Sequence, residues 1–99
     1  MTEAAGNTVP GALKRRLAIG NKRGLHARAA AKFVRTAGQF DAVVRVSFKG
    51  QDVSGLSIMG LMMLAAGIGS SIELSCAGRQ ALEAMTALSA LVEGKFGED

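Results

Sequence analysis

NKRGLHAR, residues 21–28, contains the single histidine of this chain, His26, where a turn is expected to give way to a helix. Gly24 suits the turn because glycine enters the left-handed backbone region without a steric penalty. Apolar residues then recur at helical spacing, at Ala30, Phe33, Val34 and Ala37. The pattern predicts a helix that runs from Ala27 to near Gly38, with His26 at its start.

The start of this helix is a candidate phosphate site. The first N–H groups of a helix have no partner within the helix and carry partial positive charge, so the amides of Ala27 and Arg28 can hold an anion. The guanidinium of Arg28 can grip phosphate oxygens in a fork. A neutral imidazole at His26 keeps a lone pair for attack on phosphorus. We therefore predict a transiently phosphorylated histidine; the alternative is a solvated or hydrogen-bonded His26 without chemistry.

Length and composition indicate one small domain. The 99 residues, 48% of them hydrophobic, are enough to bury a core. A single cysteine, Cys76, excludes an internal disulfide, and with only one histidine beside it a zinc site is not expected. Cys76 alternates with apolar residues and is expected to be an inert core thiol. No secretion signal or membrane span is recognisable, so we expect a cytoplasmic protein without membrane insertion.

Periodicity predicts the order of the elements. Residues 1–12 have no apolar period and are expected to form a disordered extension, which leaves residues 13–99 as a single domain. Alternating patterns predict strands over residues 14–20, 42–48, 52–54 and 71–77. Further helices are predicted over residues 57–66 and 79–94, with Gly94 and Gly97 fraying the end. The order β-α-β-β-α-β-α favours an α+β fold, a four-stranded antiparallel sheet with three helices on one face.

Two motifs resemble those of the histidine-containing phosphocarrier protein (HPr) family of the bacterial phosphotransferase system. GLHAR at residues 24–28 resembles its active-site motif, and SIMGLM at residues 57–62 resembles its regulatory serine motif. The resemblance extends from about residue 14 to residue 92 and implies an open-faced β-sandwich. It also implies that His26 accepts a phosphoryl group from enzyme I, with Arg28 stabilising it. His26 would then pass the group to an A-type acceptor domain, and no cofactor would be needed.

The second motif implies regulation and docking. Ser57 is expected to cap a short helix, and in the family the matching serine is phosphorylated by a dedicated kinase, with a phosphorylase as its counterpart. A phosphate there would bring negative charge to the docking surface and weaken binding of the upstream phosphodonor. The residues expected to dock partners are Leu56, Met59, Met62 and Lys32. The protein is expected to act as a monomer, since a carrier must dock repeatedly.

This sequence departs from the family at two positions. Ala29 stands where the family usually has proline, so the entry into the helix is expected to be looser. Leu56 replaces a residue that is often basic, which bears on how Ser57 would be recognised. The family includes sugar-uptake carriers and regulatory paralogues in nitrogen or carbon control. The Ala29 departure and the basic charge described next slightly favour a regulatory branch.

Basic residues are concentrated in the first half of the chain. Residues 1–49 hold ten of the twelve basic and two of the eight acidic side chains, a formal charge of +8 against −4 for residues 50–99. Such a field steers acidic partners and anionic ligands. One alternative function is nucleic-acid binding by the stripe Arg28, Lys32 and Arg35, although the chain has no Trp or Tyr for base stacking. Another is a regulatory relative that acts only through Ser57.

Overall fold

The computed structural model describes residues 11–98, so residues 1–10 of the predicted disordered extension lie outside the described part. The strands are β1 (Leu13–Ala18), β2 (Val43–Phe48), β3 (Gln51–Ser54) and β4 (Ser71–Ala77). The helices are α1 (Ala27–Ala37), α2 (Ile58–Met63) and α3 (Ala81–Glu93), followed by a short 3₁₀ turn, Lys95–Gly97. The predicted order β-α-β-β-α-β-α is confirmed. None of the helices in the described range is long and apolar enough to cross a membrane.

The four strands form one antiparallel sheet in the order β1-β4-β2-β3. Among the described strands, β2 and β3 are joined as a hairpin, while β4 lies between β1 and β2. In this central position Leu74 is opposite Arg15 on one side and Val46 on the other. The order depends on pairings between residues far apart in sequence, which the alternating pattern alone does not specify.

The core lies between one face of the sheet and the three helices. Apolar side chains of the strands are buried there, namely Leu17, Val44, Val46, Ile72, Leu74 and Cys76. The helices contribute mainly Phe33, Leu61, Leu88 and Val92. The other face of the sheet is polar: Arg45 donates to Asp52 over 2.7 Å, and Ser47 donates to the same carboxylate over 2.8 Å. This is the predicted α+β, open-faced arrangement.

The second helix is shorter than predicted. It ends at Met63 instead of Ala66, because Ala65 takes a left-handed backbone with φ of 56°. The chain turns early there, and Ala66 is buried with its carbonyl accepting a hydrogen bond from the amide of Leu25, at 3.1 Å. Packing of this turn against the loop before α1 therefore overrides the local preference for helix.

Packing orders the segment after α3, residues 94–98, and the predicted fraying at Gly94 and Gly97 is wrong. Lys95 and Phe96 both have positive φ, 59° and 56°, which turns the chain back from α3 towards α1. The Phe96 ring is fully buried. Burial of such a ring contributes roughly 1.5–3 kcal/mol to stability. Each of the two left-handed residues costs about 1–2 kcal/mol, so the further contacts of this segment are also needed to stabilise the turn.

Cys76 is expected to be unreactive in the folded protein. The side chain is fully buried in β4, and burial raises the pKa of its thiol to about 11, since the thiolate would be desolvated. At pH 8 the thiol of the native protein should not react with Ellman's reagent. The denatured protein should react and release one equivalent of thionitrobenzoate per chain. Rapid stoichiometric labelling of the native protein would contradict this placement.

Candidate functional site

The loop between β1 and α1 is held by side-chain and backbone contacts of its own residues. The buried Asn21 donates from Nδ2 to the carbonyl of Gly24 over 2.9 Å. The backbone carbonyl of Asn21 accepts a hydrogen bond of 3.2 Å from the Gly24 amide. Gly24 has φ of +64°, and a Cβ atom there would lie 2.4 Å from the carbonyl oxygen of Ala66. Glycine is therefore required here for both conformation and space.

His26 is the N-cap residue of α1, as predicted. Its backbone is extended, with φ of −74° and ψ of 177°, and its carbonyl accepts the amide of Ala30 over 2.9 Å. The imidazole does not cap the helix, and no acidic side chain occupies the first turn. The amides of Ala27 and Arg28, the first of α1, thus remain available for an anion. The predicted acceptor, arginine and amides are brought together in one helical turn.

Arg28 is exposed and makes no hydrogen bond or ion pair with another residue in the described range 11–98. Its guanidinium is thus free to meet a ligand or a partner from the first turn of α1. Ala29, the position where the family usually has proline, is fully buried against the core. The helix begins at Ala27 without proline, so alanine is sufficient to start it here.

The imidazole of His26 is held by a carboxylate from the other end of the chain. Nε2 of His26 lies 2.6 Å from Oε2 of Glu98, and only 13% and 14% of these side chains are exposed. The second oxygen, Oε1, accepts from Nδ2 of Asn21 over 3.1 Å. Partial burial alone would raise the pKa of Glu98, since it disfavours the charged carboxylate. Hydrogen bonds from Asn21 and His26, and then the charges of His26 and Lys32, outweigh this effect and lower the pKa below its ordinary value of 4.5.

The segment that follows α3, residues 94–98, brings Glu98 to this place. Phe96 anchors it in the core, and the carbonyl of Phe96 accepts a hydrogen bond of 2.6 Å from Nζ of Lys32. Lys32 was predicted to face docking partners, but its ammonium is engaged with this segment. Among the described residues the basic stripe that would suit nucleic acid is accordingly interrupted between Arg28 and Arg35.

Sequence reasoning assigned no role to the residues that hold the imidazole. Asn21 belongs to the stretch 21–28 but lies outside the GLHAR motif, and Glu98, distant in sequence, belongs to no recognised motif. The one available signal was Phe96, a large apolar residue between glycines and charges at the end of the chain. Such a residue indicates a buried anchor, and the anchor determines where Glu98 lies.

Ser57 is the N-cap of α2, and its Oγ accepts a hydrogen bond of 2.9 Å from the amide of Gly60. Large exposed apolar side chains flank it and form what we term the apolar patch: Leu56, Ile58, Met59, Met62 and Met63. The predicted docking residues Leu56, Met59 and Met62 all belong to this patch, whereas Lys32 does not. The patch is linked to the His26 loop because α1 packs on α2 and the turn after α2 contacts Gly24.

The described residues contain no group of three or more His, Cys, Asp or Glu side chains that could hold a metal ion. The chemistry available at His26 is that of the imidazole, the helix amides, Arg28 and Glu98. Together they suit transfer of an anionic group: the helix amides and Arg28 bind the anion while the imidazole attacks it as the nucleophile.

Comparison with known proteins gives one consistent family. Residues 13–94 match the family model described as the PTS HPr component phosphorylation site. Phosphocarrier protein HPr of Cupriavidus necator is 52% identical over 86 residues, which cover 87% of this chain and 97% of that protein. Phosphocarrier protein NPr of Shewanella violacea is 43% identical, covering 87% and 94%. The crystal structure of HPr-C-His from Thermoanaerobacter tengcongensis superposes with a TM-score of 0.84 at 42% identity, covering 88% of this chain and 98% of that one.

Substitution of Gly24 is expected to disturb the site more than substitution of a glycine with the same backbone conformation. Gly50 also has positive φ, +81°, but a Cβ atom there meets nothing within 4 Å. Gly50→Ala should cost about 1 kcal/mol of unfolding free energy, from conformation alone. Gly24→Ala should cost roughly 3 kcal/mol, because the methyl group also overlaps the Ala66 carbonyl. Chemical denaturation measures both, and equal losses would contradict the close approach.

Proposed function

The chain belongs to the HPr family, the phosphocarriers of the bacterial phosphotransferase system, and we propose that His26 is the residue that carries the phosphoryl group. It is the one histidine of the chain and lies at the start of α1. The observation that carries the proposal is the combination, within one turn, of a helix start without a side-chain cap, an Arg28 that pairs with no other residue in the range 11–98, and a fixed imidazole. Phosphate oxygens would meet the amides of Ala27 and Arg28 while the imidazole binds phosphorus.

The protein is a carrier and not a catalyst, so both transfer steps depend on partner proteins. We propose that enzyme I is the donor and an A-type domain of the phosphotransferase system is the acceptor. The carrier contributes half of each transfer site, by positioning the phosphoryl oxygens and the imidazole, and the partner completes the in-line arrangement. No cofactor is required, because binding and orientation supply the protein's share of the reaction.

The apolar patch is the proposed docking surface for both partners. Met59 and Met63 are 68% and 72% exposed, an arrangement that has a cost in water unless a partner covers it intermittently. Methionine side chains adapt to different partner surfaces, which suits a protein that binds a donor and an acceptor in turn. The basic first half of the chain would attract acidic partner surfaces to the same region.

Ser57 is proposed as a regulatory site for a serine kinase and a phosphorylase. Its Oγ caps α2, and a phosphate at a helix start is compatible with the positive end of the helix dipole. The added charge would lie beside Leu56 and Ile58 in the apolar patch. Docking of the donor would then require a doubly charged group to lose water against an apolar surface, and this weakens binding without unfolding the helix.

The branch of the system is a separate question, and we propose a regulatory one in nitrogen or carbon control. Relatives named HPr and a relative named NPr each align over most of the chain. The strong positive charge of residues 1–49 and the alanine at position 29 favour the regulatory branch over sugar uptake. We expect the protein to act in the cytoplasm. We also expect a monomer, which light scattering coupled to size-exclusion chromatography would report as a single species of 10.2 kDa.

The carrier function is tested by incubation with phosphoenolpyruvate and active cognate enzyme I. Wild-type protein should take up acid-labile phosphate, as expected of a phosphorus–nitrogen bond, and His26→Ala should take up none. Arg35→Ala is the matched control, because Arg35 is an exposed basic residue at the far end of α1 and should leave labelling unchanged. Unlabelled wild-type protein would refute the carrier role, and loss of labelling in Arg35→Ala would point to the basic stripe instead.

The effect of charge at Ser57 is tested by a pair of N-cap substitutions. Aspartate and asparagine both cap helices well, so Ser57→Asp and Ser57→Asn should keep α2 intact and differ only by one charge. Ser57→Asp is expected to slow phosphorylation by enzyme I about tenfold relative to Ser57→Asn, because the charge is desolvated at the docking surface. Equal rates for the two variants would exclude an electrostatic mechanism.

A further inference from the structure

The contact between Glu98 and His26 determines which nitrogen of the imidazole carries the proton. Glu98 contacts Nε2 of the ring. The amides proposed to bind phosphate belong to the first turn of α1, which begins directly after His26. We propose that Glu98 is a positioning residue that holds His26 in the tautomer with its proton on Nε2 and its lone pair on Nδ1. This inference rests on the proposed carrier function of His26.

The direction of the hydrogen bond follows from the chemistry of its two partners. An ionised carboxylate only accepts hydrogen bonds, and the Glu98 carboxyl is ionised near neutral pH. Nε2 of His26, 2.6 Å from Oε2, must therefore be the donor. In a neutral imidazole one nitrogen carries the proton and the other carries the lone pair, so the lone pair lies on Nδ1.

Asn21 makes this arrangement unambiguous. The carbonyl of Gly24 can only accept, so the group of Asn21 that faces it must be the amide nitrogen Nδ2. The same Nδ2 donates to Oε1 of Glu98 over 3.1 Å. The residue at position 98 thus has to present an acceptor to Asn21, and a carboxylate is the group that presents a second acceptor to His26 at the same time.

The transfer step then balances without any further proton acceptor. The Nδ1 lone pair of His26 forms the bond to phosphorus while the bond between phosphorus and the donor protein breaks and its electron pair stays on the donor. The proton remains on Nε2, and the phosphorylated ring gains a positive charge. The carboxylate of Glu98 stabilises that charge at 2.6 Å. Onward transfer reverses these changes and restores the neutral ring.

The test compares substitutions of Glu98 that differ in what they offer to the ring. In Glu98→Gln the side-chain oxygen must face Nδ2 of Asn21, which leaves the NH₂ group facing Nε2. That group donates, so the ring should switch to the tautomer with its proton on Nδ1. Glu98→Ala leaves the ring unrestrained and free to adopt both tautomers. Glu93→Gln is the matched control, since it removes the same charge from an exposed residue that pairs with Arg15.

Two readouts are needed, and the first does not depend on phosphorylation. Nitrogen NMR of the ¹⁵N-labelled ring in its neutral form should report a proton on Nε2 in wild type and Glu93→Gln, and on Nδ1 in Glu98→Gln. Phosphorylation by enzyme I should slow about 100-fold in Glu98→Gln, at the low end of the effects of a misplaced proton, but only about tenfold in Glu98→Ala, because the unrestrained ring still populates the required tautomer.

The outcomes separate this proposal from the carrier function. If Glu98→Gln keeps the wild-type tautomer, or is phosphorylated at least as fast as Glu98→Ala, the positioning role is wrong. If wild-type protein is not phosphorylated, the carrier function fails, and the NMR comparison alone then decides whether Glu98 selects the tautomer. A merely structural role would lower the stability of both variants without reversing the tautomer in Glu98→Gln.

Discussion

The backbone contact between Gly24 and the turn after α2 is the constraint on which the rest of the site depends. A side chain at Gly24 would overlap the Ala66 carbonyl, and that carbonyl also receives the amide of Leu25. This contact determines where the loop ends, and therefore that α1 begins immediately after His26. It also joins the two regions for which we propose a function, because the turn that meets Gly24 is the continuation of the helix capped by Ser57.

Local patterns predicted most elements because their causes are local. The alternation of Val44 and Val46 identified β2, and the apolar spacing around Phe33 placed α1 at its observed bounds. The end of α2 was misjudged for the opposite reason. Ala65 leaves the helix so that Ala66 can reach the loop before α1, and that partner lies some forty positions away in sequence. The strand order was likewise inaccessible, since nothing in β4 itself specifies both of its neighbours.

The candidate site divides in the same way. His26, Arg28 and the first helical amides follow from a turn, a helix start and their spacing. The carboxylate on the ring does not, because Glu98 reaches it only through the burial of Phe96 and the bond from Lys32 to the Phe96 carbonyl. A lysine on the exposed side of a helix is ordinarily assigned to solvent or partners. Here a backbone carbonyl from the end of the chain is its partner.

A phosphocarrier must hold its imidazole firmly and its partners weakly, and the structure separates these two requirements. The ring is fixed by residues of its own chain, through Glu98 and the buried Asn21, so no partner has to supply that order on binding. The carboxylate occupies the Nε2 edge and leaves the Nδ1 edge for phosphorus. In the proposed function, partner binding depends on the adaptable side chains around Ser57 and on long-range charge, both of which allow rapid release. Because the ring is ordered before docking, we expect weak docking to be sufficient for transfer.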